Sequence, residues 1–245
     1  MELYKAYDRK VVDKPRVTVV MIHGIASDST TYNALLEVLE QREDLNDCRV
    51  VTFDLLGSGK SPCDDALEYT YEEQLEALHN GVLKLELDSP LILVGHSLGT
   101  FIVTRYASVY PEEVSRLVLV SPPVYTSDDF DNPLFALGIE GFRKSVGERD
   151  PELLKQKAFN NSMKNIVLDR GNYEVLAGLK LPTRLIYGDE DPIIASYNIP
   201  ELLQANPRIT AVEVHGKHGV SKDKFEEIFK ILKEDVKLTK KESKK

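Results

Sequence analysis

The stretch Gly95-His-Ser97-Leu-Gly99 holds a serine between two glycines, directly after the apolar run 91–94 and directly before a helical pattern that continues through Tyr106. A strand, a five-residue turn and a helix in that order make a nucleophile elbow. The turn is tight enough to hold its central residue in strained backbone. Glycine on either side leaves room where a Cβ would meet the neighbouring strand or helix. The serine hydroxyl then stands clear of the sheet at the start of the following helix, where backbone N–H groups can stabilise an oxyanion. Serine is a poor nucleophile at neutral pH. It needs an imidazole to take its proton, and that imidazole needs a carboxylate to fix its tautomer. Two later stretches supply these groups: Asp189, Glu190 and Asp191 after Gly188, and His215 and His218 in His215-Gly-Lys-His218. Serine, acid and histidine follow the chain order that an elbow arrangement takes.

The elements that must position these groups are legible from periodicity. Val17–Ile22, Arg49–Phe53, the run before the elbow, Val114–Val120, Thr183–Tyr187 and Thr210–Val214 read as strands, apolar almost throughout. Between them lie helical patterns: Tyr32, Leu35, Leu36 and Leu39 after a cap at Asp28 or Ser29; Tyr69–Leu87; Ile199–Ala205; and a closing helix from Ser221 with Phe225, Ile228, Phe229, Leu232 and Val236. Strands of this kind alternating with helices predict an α/β fold, a mostly parallel central sheet with helices on both faces. Every chemically interesting group then falls at the C-terminal end of a strand, the edge where such sheets bind ligands. The pattern breaks between Ser121 and Leu179, which is helical, polar, dotted with Gly and Pro, and without an evident strand. It predicts a small helical cap at 122–180, inserted between core segments 1–121 and 181–245. Phe130, Phe135, Phe142 and Phe159 of the cap are expected to face the core and bind substrate, although some such rings must fill the cap's own interior. The charged run 237–245 is expected to fray.

Composition narrows the partners. The 245 residues carry 31 Lys+Arg against 40 Asp+Glu, a net charge of −9. That balance disfavours nucleic acid or an anionic membrane as the main partner. The first ten residues hold no apolar h-region, and no window reaches the ~18 apolar residues of a membrane span, so a cytoplasmic location is expected. Cys48 and Cys63 fit neither a zinc motif nor a disulfide framework, and no metal or cofactor is implied. Gly57-Ser-Gly59-Lys60-Ser61 suggests a phosphate loop, but that motif needs a glycine where Asp54 stands. Oligomeric state is left open.

Five motifs occur in order: His23-Gly24, Asp54-x-x-Gly57-x-Gly59-x-Ser61, Gly95-His-Ser97-Leu-Gly99, Gly188-x-x-Asp191 and Gly216-x-His218. On these the chain resembles the α/β-hydrolase fold enzymes, specifically the capped esterase, peptidase and C–C hydrolase group. The resemblance implies Ser97 as nucleophile, Asp191 as triad acid with Asp189 and Glu190 as rivals, and His218 as base with His215 as a rim residue. It implies an oxyanion hole from the backbone N–H groups of Ile25 and Leu98. His23 would hold the oxyanion loop, His96 would be packed, and His79 would have no role. The chain departs from the pattern in having a single glycine in the oxyanion loop and a shortened N-terminal hairpin, with Glu2–Tyr7 as its remnant. The implied activity is cleavage of a small, largely apolar carboxylic ester or related acyl substrate. The alternatives are C–C bond hydrolysis, an aminopeptidase, or a non-enzymatic ligand receptor or scaffold. An aminopeptidase would want cap carboxylates, for which Asp128, Asp129, Asp131, Glu140 and Glu148 are candidates.

Overall fold

The computed structural model describes residues 1–126, 128–129, 138, 156–168 and 171–242. Among them, strands β1 (Lys5–Arg9), β2 (Val17–Ile22), β3 (Cys48–Phe53), β4 (Leu91–His96), β5 (Val114–Val120), β6 (Thr183–Gly188) and β7 (Ile209–Val214) form one sheet in the order β1-β3-β2-β4-β5-β6-β7. Strand β1 runs antiparallel to β3, and the other five pairings are parallel. The mostly parallel α/β sheet read from the sequence is therefore the observed one. The N-terminal remnant lies three residues later than expected, as a single edge strand over Lys5–Arg9. Its residues are mostly exposed, so no apolar alternation marks it.

Alternation along each buried strand divides the core in two. Val17, Val19 and Met21 of β2, Ile92 and Val94 of β4, and Val118 and Val120 of β5 pack with Leu35 and Leu39 of α1 (Asn33–Glu40) and with Phe225, Phe229 and Leu232 of the final helix, Lys222–Glu242. Val20, Ile22, Leu91, Leu93, Leu117 and Leu119 pack on the other face. That face is covered by α2 (Tyr71–Leu83), α3 (Leu98–Val109), α4 (Gln156–Ser162), α5 (Asn172–Gly178) and α6 (Ile199–Ala205). Helix α2 starts two residues later than the Tyr69–Leu87 pattern because a capping box, Thr70 with Glu73, sets its start, and it ends at Leu83. The final helix, α7, continues to Glu242, so residues 237–242 are helical rather than a loose end. No described helix is long and apolar enough to cross a membrane. Cys48 is buried, Cys63 is exposed, and both are free thiols.

The junction of β4 with α3 is built on backbone contact. A Cβ on Gly95 would stand 2.6 Å from the Gly99 carbonyl oxygen, and one on Gly99 would stand 2.3 Å from the carbonyl oxygen of Ile22. Both obstacles are main chain, which cannot swing aside. The start of α3 is thereby seated against the end of β2, and Ser97 between them is held at φ 51° and ψ −118°. Gly99→Ala is expected to lower unfolding stability by roughly 3 kcal/mol through overpacking. A denaturant midpoint equal to that of the unchanged chain would refute this reading of the junction.

Candidate active site

Ser97, Asp191 and His218 come from three strand ends and meet. The Ser97 hydroxyl lies 2.8 Å from His218 Nε2. On the far side of the ring, His218 Nδ1 is 2.9 Å and 3.1 Å from the two carboxylate oxygens of Asp191. The Asp191 side chain is fully buried and that of His218 is 22% exposed, so the ring has one wet edge and the acid has none. Burial pushes the Asp191 carboxyl upward, but hydrogen bonding and charge from His218, the Ile193 amide and the Lys224 ammonium outweigh it. The net shift is below the ordinary value of 3.8. The rival acid and histidine form a separate pair. Asp189 accepts from the Gly216 amide at 2.9 Å and lies 3.3 Å from His215 Nδ1, with both side chains largely exposed. Glu190 is exposed.

The loop that carries Ile25 is tied down by a buried histidine. The Leu55 amide donates to His23 Nε2 at 2.9 Å, so Nδ1 carries the proton and donates to the Gly24 carbonyl at 2.7 Å. Burial holds the His23 pKa below its usual value, against the Gly24 hydrogen bond and nearby Asp54. His96 in the elbow is also neutral. Burial first, and then the neighbouring His218, push it down to about 3, while its Nε2 donates to the His218 carbonyl at 2.9 Å. The glycine-rich turn after β3 has a structural use. Asp54 accepts from the amides of Ser29 and Lys60, each at 2.9 Å, and binds the loop after β2 to this turn.

Between these loops lies a cleft lined by Gly24, Ile25, Ala26, Leu55, Leu56, Gly57, Ser58, Gln74, Leu98, Ala158, Phe159 and Ser162. Ile25 and Leu98 thus open onto the same space as Phe159 of α4. Phe159 is itself 4% exposed. Phe130, Phe135 and Phe142 lie outside the described residues. Gln74 turns its amide to the backbone of Leu56, donating to its carbonyl and accepting from its N–H, each at 3.1 Å.

Residues 17–167 match the model of the α/β hydrolase fold family. The chain belongs to that family. "Probable lysophospholipase BODYGUARD 1" of Arabidopsis thaliana is 33% identical over 114 residues, which cover 46% of this chain and 24% of that protein. The "(Lyso)-N-acylphosphatidylethanolamine lipase" of Mus musculus is 34% identical over 114 residues, 44% of this chain and 31% of that protein. The chain spans about a quarter to a third of the length of the curated relatives it matches. An esterase from Exiguobacterium antarcticum superposes with a TM-score of 0.76 at 18% identity, covering 96% of this chain and 95% of that one. A monoacylglycerol lipase from Paleococcus ferrophilus gives 0.66 at 24%, covering 97% and 99%. These two structures share the fold.

Three positions around the site were not singled out as functional from the sequence. Asp54 and Gln74 hold the walls of the cleft, and Lys224 lies buried behind the histidine loop. Lys224 had a signal: on a helix, it falls four residues before Ile228, on the apolar stripe. The depressed pKa of Asp191 also sets a sign. Its contribution to stability is present above 3.8 and is lost as pH falls through the lower, folded-state value. The difference in melting temperature between the unchanged chain and Asp191→Asn is therefore expected to shrink steadily as pH is lowered below about 4. A difference that stays constant down to acid unfolding would contradict the assignment of the carboxylate as a buried anion.

Proposed function

We propose that the chain is a serine hydrolase that cleaves a small, largely apolar carboxylic ester or related acyl compound. The observation that carries the proposal is the continuous relay from Ser97 Oγ through His218 to the buried Asp191. In this reading His218 Nδ1 carries its proton toward Asp191, which leaves Nε2 free to accept from the Ser97 hydroxyl. Ser97 attacks the substrate carbonyl as its proton passes to Nε2. The oxyanion that forms is stabilised by the backbone N–H groups of Leu98 and Ile25, the first in the opening turn of α3, where helix amides lack intrahelical partners. The protonated His218 then gives its proton to the leaving alcohol. Water, activated by the same imidazole, resolves the acyl-enzyme.

The hydrocarbon part of the cleft, which lies beside Ser58 and Ser162, supports an apolar acyl group. Its walls at Ile25, Leu55, Leu56, Leu98 and Phe159 are hydrocarbon, and the Gln74 amide is already satisfied by Leu56. Residues 122–180 serve as the cap in this reading, with Phe159 as its substrate-facing ring. The lysophospholipase and lipase names of the relatives point the same way, toward acyl esters. The aminopeptidase alternative loses one of its carboxylates. Asp129 accepts from the Thr126 amide and hydroxyl, the Asn198 amide and the Tyr197 hydroxyl, so it clamps the chain rather than awaiting an amine. Asp131, Glu140 and Glu148 lie outside the described residues.

A panel of p-nitrophenyl esters, aminoacyl anilides and a dienoic diketone tests the substrate class. Turnover is expected with the esters, strongest for short and medium acyl chains, and preference for an anilide or the diketone would overturn it. Ser97→Ala is expected to reduce ester kcat by a factor on the order of 10³ or more, and Asp191→Asn by a similar order, with the fold retained by circular dichroism. Ester turnover by folded Ser97→Ala within tenfold of the unchanged chain would refute the mechanism.

A further inference from the structure

The loop bearing His218 belongs to no strand or helix, yet every carbonyl from Gly216 to Gly219 is held. The Glu190 amide donates to Gly216 O at 3.1 Å. Lys224 Nζ donates to Lys217 O at 2.6 Å and to Gly219 O at 2.8 Å. His96 Nε2 donates to the carbonyl between them, that of His218, at 2.9 Å. The third proton of the Lys224 ammonium goes to Ser121 Oγ at 2.8 Å. Ser121 sits at the end of β5 with φ 49°, and its neighbour Val120 accepts from the Ser97 amide at 3.1 Å. One ammonium thus joins the two sides of the histidine loop to the strand end that seats the nucleophile.

A lysine is an unusual group to bury here. Lys224 is fully buried on the apolar face of α7, and an ammonium taken from water costs several kcal/mol unless its donors are all used. All three are used. Burial pushes its pKa down to about 8, with Asp191 pulling the other way. The same Lys224 charge helps to keep the Asp191 carboxylate ionised. A core residue chosen for packing alone would be apolar at this point of the stripe.

We propose that Lys224 is a positioning residue for the hydrolysis, holding the backbone on both sides of His218 so that Nε2 stays within hydrogen-bond reach of Ser97. The proposal rests on the triad reading of Ser97, His218 and Asp191. Its physical content is a distance: a relay bond of 2.8 Å tolerates little drift, and a misplacement of about 1 Å can cost a hundredfold in rate. Because Lys224 faces the back of the loop and not the cleft, its loss acts on the chemical step and leaves substrate binding alone.

The test is Lys224→Met, which keeps an unbranched side chain in the core and removes the charge and all three donors. Folded K224M is expected to show kcat for a p-nitrophenyl ester lowered roughly 10- to 100-fold, with KM within about twofold of the unchanged chain. A folded K224M with unchanged kcat, or with a loss confined to KM, would overturn the proposal. Lys224→Gln, whose amide is too short to reach both carbonyls, carries the same expectation and the same refutation if K224M does not fold. Ser97→Ala and His218→Ala run alongside separate the two claims. Substantial turnover by either would overturn the triad and the Lys224 proposal with it. Inactivity of both beside a fully active Lys224 variant would overturn Lys224 alone.

Discussion

The contact between Gly99 and the end of β2 constrains everything around it. With no Cβ at Gly95 or Gly99, main chain touches main chain, and the start of α3 is lodged against the carbonyls of Ile22 and His23. Three consequences follow from that single approach. Ser97 is forced into a backbone conformation that few side chains adopt. The loop after β2 is brought beside it, since a Cβ on Gly24 would stand 3.0 Å from the Ser97 Cβ. Leu98 and Ile25 are thereby set on the same cleft. Ser97 and the backbone of Ile25 and Leu98 are placed by one packing event rather than by separate adjustments.

Charge management is the second theme. The region behind the cleft is buried, and it contains a carboxylate, an ammonium and two neutral imidazoles. Each is held by a specific partner, with only Nδ1 of His96 left without a hydrogen bond among these groups. Asp191 takes His218 and the Ile193 amide. Lys224 takes two carbonyls and a hydroxyl. His23 bridges the Gly24 carbonyl and the Leu55 amide, and His96 Nε2 donates to the His218 carbonyl. Unpaired, any of these groups would cost more than the hydrogen bonds supply. Paired, they turn three connecting loops into a rigid frame, and preorganisation of that kind is what a transition state requires.

Strands β2 to β6 were readable because both of their faces are largely buried, which leaves nearly continuous apolar runs; β7 is half-exposed and was readable from its β-branched residues. Strand β1 was misplaced because an exposed antiparallel edge has no such signature. The elbow was readable because its two glycines answer a steric demand from neighbouring main chain. The choice between acids and between histidines was not readable from spacing. Gly188 and Val214 are partners across β6 and β7, so Asp189 and His215 meet just beyond the sheet at nearly the same separation as Asp191 and His218. Only the paths of the two loops distinguish a surface pair from a buried one. The part played by Lys224 was hidden for a related reason. Its partners are backbone carbonyls, and a carbonyl leaves no mark in an amino-acid sequence.

The central claim of the proposed function is that Ser97 is the one activated nucleophile of this chain. It is tested most directly by treating the native chain with a fluorophosphonate and locating the adduct by peptide mass spectrometry. The account predicts stoichiometric labelling of Ser97 that is lost when the protein is denatured before treatment. An adduct on another residue, or a native chain that remains unlabelled, would contradict it.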